Sequence, residues 1–397
     1  DIRRIHDTYG LSVTTGAAPE GFRQLHFQIG REWLTMKKLF EPLQIKNVKI
    51  KNRVCFPPVV CYAWGTEDGY VTQENVEHYR KVAKGQAGLI IQEATCVDKN
   101  GKLVENQLGI WEDGQIQGLS EIVDAVHKEG CPIFIQIHHA GVSGLDGELA
   151  CPSDYSFSKN GVKKTGKELT EEEIHRIQQE FTDAAVRAWK AGYDGVELHG
   201  CHQYLMCEFF NRWVNRRQDA YGEHRELFAV EILRAIKEKV PEDFVVGIRL
   251  GGFEPRLEDG IRHAVILEKE GIDFIDVSYG FSGEDDPKAP VDFPYEKCIY
   301  AAEEIKRSVS VPVFAVNGIT SPNMAQEILE RTNVDMIDIA RGIIVNYNWA
   351  KDAMEGRDTG KCLHCKRCLW CEDPDTCAGR KVLKKNLRGK KEFIDNL

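Results

Sequence analysis

No apolar stretch in this chain approaches the 20 or so residues that a bilayer-spanning helix needs, so no membrane partner is expected. Basic residues are outnumbered: 52 Lys and Arg stand against 62 Asp and Glu, a net charge of -10. That balance disfavours nucleic acid or an anionic membrane as the main partner and leaves a small-molecule substrate as the better expectation. No signal-peptide pattern is recognisable, which places the 13 cysteines in a reducing, cytoplasmic setting where thiols stay free or bind metal. No G-x-G-x-x-G turn follows any predicted strand, and with it goes the usual mark of a doubly wound dinucleotide-binding sheet.

What is present fits an α/β fold, a TIM (β/α)8 barrel with a C-terminal Cys-rich tail. The 397 residues, 42% hydrophobic with a mean hydropathy of -0.38, can bury one large barrel core and carry appendages. Strands are predicted at 54–58, 88–95, 133–138, 196–198, 244–250, 274–278, 311–316 and 336–340, separated by amphipathic helical patterns. Two helices announce their starts: one over 170–191 with Thr170-Glu171-Glu172-Glu173, and one over 321–331 with Ser321-Pro322. The chain divides into an aperiodic extension over 1–35, a barrel over 36–350 and a Cys-rich tail over 351–397. Residues 141–169, rich in Gly, Ser and Lys, read as an irregular lid or substrate wall in which Lys163, Lys164 and Lys167 could meet an anionic substrate.

The residues predicted at strand exits are polar: Gln136, His138 and His139; His199, His202 and Tyr204; Arg249; and Asn317-Gly318. A barrel builds its active site at the carboxyl ends of its strands, and the turns after the seventh and eighth commonly hold a phosphate on backbone N-H groups. Asn317-Gly318-Ile319-Thr320 and Ala340-Arg341-Gly342 stand at those turns, so a phosphorylated ligand is expected. The pair His199-x-x-His202 by itself has three readings: donors to a substrate oxygen, zinc ligands together with His138 or His139, or satisfied structural groups.

Several ordered motifs then converge. Leu39-Phe40-Glu41-Pro42-Leu43-Gln44-Ile45, Lys51-Asn52-Arg53-Val54, Gly88 to Ala94, Gln136 with His139-Ala140-Gly141, His199-x-x-His202-x-Tyr204, and Asn215-Arg216-Arg217-x-Asp219-x-Tyr221-Gly222 together resemble the old yellow enzyme family. The tail resembles the cluster-bearing branch of that family, typified by 2,4-dienoyl-CoA reductase and enoate reductase. The resemblance implies an FMN-dependent barrel oxidoreductase that reduces an activated C=C bond in an enone, enoate or enoyl thioester. It places Pro57, Pro58, Val59 and Ala94 along the flavin, Gln136 at its pyrimidine edge, and Arg249 by N1 and the C2 oxygen. Asn317, Gly318, Ala340 and Arg341 would hold the phosphate. His199 and His202 would donate to the substrate oxygen, and Tyr204 would protonate the α-carbon.

Electrons would come from NADH or NADPH or from a separate donor protein, and a homo-oligomer is compatible with this reading. Two rival activities stand beside it. One is an amine dehydrogenase of the trimethylamine dehydrogenase type, disfavoured by His199 and by Val60 at the position where that relative has a flavin-linking cysteine. The other is a zinc-dependent barrel hydrolase. Cys61, next to Val60, should face away from a flavin, since neighbours on a strand point to opposite sides.

The tail gathers Cys362, Cys365, Cys368, Cys371 and Cys377. The resemblance implies a 4Fe-4S cluster on Cys362, Cys365, Cys368 and Cys377, with Cys371 the other candidate for the fourth ligand. A four-cysteine structural zinc site is the alternative.

Overall fold

The structure is a computed structural model that describes residues 37–145, 147–159, 161–281, 286–387 and 396; the extension expected over 1–35 lies outside the described residues. A hairpin of β1 (Leu43–Ile45) and β2 (Val48–Ile50) precedes the barrel. The barrel strands are β3 (Val54–Phe56), β4 (Leu89–Cys96), β5 (Ile133–His138), β9 (Gly195–Gly200), β10 (Val245–Gly251), β11 (Ile275–Ser278), β12 (Val313–Ala315) and β13 (Met336–Asp338). They pair in parallel in that order, and β13 closes on β3. All eight predicted strands are found, and the fold is a TIM barrel.

The strands read as apolar runs because both faces are covered: all eight residues of β4 and all six of β5 are buried. The outer helices start where capping chemistry starts them. Thr170 Oγ1 accepts the Glu173 N-H at 3.2 Å while Glu173 Oε2 accepts the Thr170 N-H at 2.8 Å, and the helix Glu171–Ala191 runs on until Gly192 at φ 94 ends it. Ser321 caps the helix Pro322–Arg331 in the same manner, accepting from the Met324 N-H.

The amino-terminal end of the barrel is plugged by stacked rings. Phe274 lies between Phe134, at 5.4 Å, and Phe314, at 4.9 Å, and Ile45, Val48 and Ile50 of the hairpin cover them. Only a glycine fits opposite this stack, because a Cβ on Gly247 would stand 2.0 Å from the Phe274 ring. Gly247→Ala is therefore expected to lower stability by about 1–3 kcal/mol, read as a shift of the urea midpoint with unchanged slope.

Residues 141–169 are not irregular, contrary to expectation. They contain β6 (Leu149–Cys151), β7 (Tyr155–Lys159) and β8 (Val162–Glu168), a three-stranded sheet in the order β6-β8-β7. Five of the seven β8 residues are exposed, so no apolar alternation marked it. Tyr155 and Phe157 hold the sheet onto a small cluster with Val142, Cys151, Cys207 and Val214. Lys164 is bound to the carbonyls of Gly144 and Leu145, at 2.8 and 2.6 Å, and Lys167 is paired with Glu148, so two of the three lysines are engaged within this segment.

Candidate active site

The turn after β9 is built under strain. His202 and Gln203 both have positive φ, 65° and 60°, a region that non-glycine residues seldom occupy and that collects at functional sites. The surrounding backbone holds the turn: the Leu205 N-H bonds the His139 carbonyl at 3.1 Å and Ser143 Oγ donates to the Gln203 carbonyl at 3.0 Å. His202 is thereby folded back on His199. His199 Nε2 and His202 Nδ1 are 2.9 Å apart, His202 Nε2 is 2.9 Å from Ser278 Oγ, and His199 Nδ1 is 3.2 Å from His138 Nδ1. The result is an unbroken row of three imidazoles and a hydroxyl.

Tyr204 stands beside this row at the start of the helix Leu205–Phe210, edge-on to His138 at 4.4 Å and to His199 at 4.8 Å between ring centres. Burial pushes the Tyr204 phenol up, so it stays protonated at neutral pH. Burial also depresses the imidazoles: His138 falls to about 3 and His199 lies well below the usual histidine range, so both are neutral. His139, one residue on, faces elsewhere: its Nδ1 accepts the Gly141 N-H at 3.1 Å, and it is not part of the row.

Below the row lies a group of charges. Gln136 Nε2 donates to Glu197 Oε1 at 2.7 Å, Arg249 is ion-paired with Asp276, and Asp338 Oδ2 is 3.6 Å from Arg249 Nη1. Strand register brings them together, Gln136 opposite Glu197 and Arg249 opposite Asp276. All five are at most 5% exposed. Burial works against the Arg249 charge, but Asp276, Asp338 and Glu197 together hold its pKa above the ordinary value. Burial raises all three carboxyls, because one guanidinium cannot balance three anions in a dry core. Arg249 thus keeps its positive charge among these carboxyls.

The residues expected along a flavin stand at the same end of the barrel. Pro57 is buried and Pro58 and Val59 are half-buried just past β3; Ala94, near the end of β4, is 4% exposed. At the expected phosphate turns, Asn317 and Gly318 have positive φ, 88° and 71°, a turn in which consecutive N-H groups can face one anion. Ala340 precedes a single helical turn, and the Arg341 guanidinium is 3.1 Å from His364 Nδ1 of the tail. Two features fit the residues to a flavin: the Arg249 Nε is buried without a hydrogen-bond partner among the described residues, and the Gln136 amide is pinned through its nitrogen, leaving its carbonyl to meet a ring N-H. The Cys61 thiol is turned away, toward the carbonyls of Trp370 and Cys371 at 3.8 and 3.7 Å.

Among the described residues no three His, Cys, Asp or Glu side chains are placed to hold a metal, so Cys362, Cys365, Cys368 and Cys377 are not gathered into a ligand set. The segment is held by other forces. The Tyr62 N-H bonds the Cys371 carbonyl at 2.7 Å, Trp370 is buried against Trp64 and His78, and Arg380 binds the Ile344 carbonyl. Thiolates that converge only around an ion have nothing to draw them together without it. Sequence reasoning gave no role to Ser278, Glu197, Asp276 or Asp338, and none beyond the zinc alternative to His138.

An eight-stranded parallel barrel with a polar, strained turn at the carboxyl ends of its strands has the build of a TIM-barrel enzyme. The profile of the NADH:flavin oxidoreductase / NADH oxidase family matches residues 38–360, and the chain belongs to that family, the old yellow enzymes. It is 39% identical over 344 residues to an NADH oxidase of Thermoanaerobacter brockii, covering 82% of this chain and 52% of that one. It is 38% identical over 318 residues to an NADPH dehydrogenase of a Geobacillus species, covering 78% and 92%. Among solved structures, a 2-naphthoyl-CoA reductase in complex with 2-naphthoyl-CoA superposes with a TM-score of 0.75 at 25% identity, over 81% of this chain and 53% of that one. The old yellow enzyme homologue of Zymomonas mobilis gives 0.70 at 26%, over 82% and 95%. The chain therefore spans about half the length of some relatives and nearly all of others. The family is one of NADH:flavin oxidoreductases.

Proposed function

We propose that the chain reduces a C=C bond conjugated with a carbonyl, and the observation that carries this is the row His138–His199–His202–Ser278 with Tyr204 beside it. Pro57, Pro58, Val59, Ala94, Gln136, Arg249, Asn317, Gly318, Ala340 and Arg341 would hold FMN, which would supply the hydride for the β-carbon when bound. His199 and His202 bind the carbonyl oxygen and stabilise the charge that gathers on it. Tyr204, kept protonated by burial, gives its proton to the α-carbon. The 2-naphthoyl-CoA ligand of the structural neighbour supports an enoyl thioester as one substrate class, since thioester and ketone present the same oxygen.

The test is anaerobic. NADH or NADPH should bleach the flavin, and 2-cyclohexenone or crotonyl-CoA should restore its colour while trimethylamine leaves the oxidised protein unchanged. Reduction by trimethylamine with no response to either unsaturated carbonyl would replace this reading with the amine dehydrogenase one.

The flavin is held without a covalent bond in this reading, because Val60 offers no thiol and Cys61 is occupied by the tail. Acid precipitation should leave all of the FMN in the supernatant; flavin on the pellet would contradict it. For the tail, the C-x2-C-x2-C spacing is what supports a 4Fe-4S cluster or zinc. Iron, sulfide and zinc analysis of anaerobically prepared protein decides between cluster, zinc and free thiols.

A further inference from the structure

We propose that His138 and Ser278 are positioning residues: each donates a hydrogen bond to the outer nitrogen of one catalytic imidazole, so that His199 Nε2 and His202 Nδ1 both carry protons when a carbonyl oxygen lies between them. The inference rests on the proposed reading of His199 and His202 as substrate donors and adds to it how both come to be donors at once.

The argument is one of counting protons. A neutral imidazole has one N-H, so a nitrogen that donates obliges its ring partner to be bare. His199 and His202 face each other through Nε2 and Nδ1 at 2.9 Å. Without a ligand, two N-H groups cannot point at each other, and the row must run head to tail in one direction. An oxygen placed at that contact changes the requirement, because it accepts from both sides. Then His199 Nδ1 and His202 Nε2 must both be bare, and each needs a donor. His138 Nδ1, 3.2 Å from His199 Nδ1, is placed to be one; Ser278 Oγ, 2.9 Å from His202 Nε2, is placed to be the other.

The surroundings of His138 favour this role. The ring is fully buried, and its Nε2 has no hydrogen-bond partner among the described residues. A proton on Nε2 would be a buried donor with nothing to meet, an arrangement proteins avoid, whereas on Nδ1 it is used. Ser278 closes β11, where the register fixes its position opposite Gly251. Among the described residues, the charged and titratable groups beside His138 and His199 are His139, His202 and Tyr204, and Arg249, which disfavours a positive charge on His199. His138 and His199 are therefore neutral, and for them tautomers rather than protonation states are what the surrounding donors set.

The test is 15N NMR of the imidazole rings in the oxidised FMN-bound protein, with His199 and His202 assigned by single substitutions and 2-cyclohexenone as the probe. With the oxidised flavin no turnover occurs, so the bound state persists. On addition of the enone, His199 should be protonated at Nε2 and His202 at Nδ1. A bare His202 Nδ1 in the enone complex would overturn the proposal, even if turnover shows the enone to be a substrate. If instead the enone is not a substrate at all, the reading of the site fails first and separately.

Variants give a second measurement. Ser278→Ala should raise the Kd for 2-cyclohexenone and slow its reduction by about 10- to 100-fold, since nothing then favours the His202 proton on Nδ1, where it meets the developing oxyanion, while flavin reduction by NAD(P)H keeps its rate. Ser278→Thr, which retains the hydroxyl, should restore both. His138→Phe should act in the same direction and His138→Asn, whose amide N-H can replace Nδ1-H, should recover most of the loss. Equal behaviour of Phe and Asn at 138 and of Ala and Thr at 278 would show that packing alone matters, and would sink the idea.

Discussion

Tyr204→Phe is expected to leave flavin reduction by NAD(P)H at its normal rate and to slow reoxidation by an enone about 10²- to 10⁴-fold, the usual effect of losing a general acid. Burial keeps the phenol beside the row firmly protonated, and the same burial holds His138 and His199 neutral. Phenylalanine keeps the ring that packs edge-on against His138 and His199, so the turn around His202 should survive and only the hydroxyl is lost. Stopped-flow measurement of the two half-reactions separates the outcomes. An unchanged reoxidation rate would remove Tyr204 from the chemistry.

Arg249→Ala should weaken FMN binding and also destabilise the fold by about 3–5 kcal/mol at neutral pH, the order of loss when one member of a buried ion pair is removed. Asp276 would be left facing Asp338 and Glu197 with no cation. The pH dependence carries a definite sign. Burial raises the Asp276 carboxyl above its unfolded value even with the arginine present, so the folded state binds protons more readily than the unfolded chain. Removing Arg249 raises it further. The deficit of the variant should therefore shrink as pH falls toward the unfolded carboxylate range and grow as pH rises. Urea denaturation of wild type and variant across pH 5–8 checks it; a deficit independent of pH would mean that the loss is one of packing, not of charge.

Much of the architecture was legible because barrel strands announce themselves twice, as buried apolar runs and as regular spacing between capped helices. β5 was placed to the residue, and the remaining barrel strands differ from expectation only at their ends. The three-stranded sheet over 149–168 was missed because β8 is polar on both faces and is held by backbone pairing, which leaves no trace in composition. The acid group had a signal that went unread. Val196-Glu197-Leu198, Ile275-Asp276-Val277 and Ile337-Asp338-Ile339 each set one acid between two apolar residues in a barrel strand. In a strand buried on both faces such an acid has no water on either side, and its repetition in three strands points to a shared partner.

Residue types and their order were enough to name the barrel, the family resemblance and the imidazoles and phenol at the β9 exit, because periodicity, caps and motifs are local properties of the chain. Which nitrogen faces which could not be read there. The pairing of His138 with His199, of His202 with Ser278 and of Arg249 with Asp276 joins residues 27 to 76 positions apart; strand register sets the first and the last, and the second depends on the turn that holds His202 and Gln203 at positive φ. Hydrogen-bond direction and charge balance are properties of groups brought within about 3 Å in a core that excludes water, and only the closed barrel brings them there.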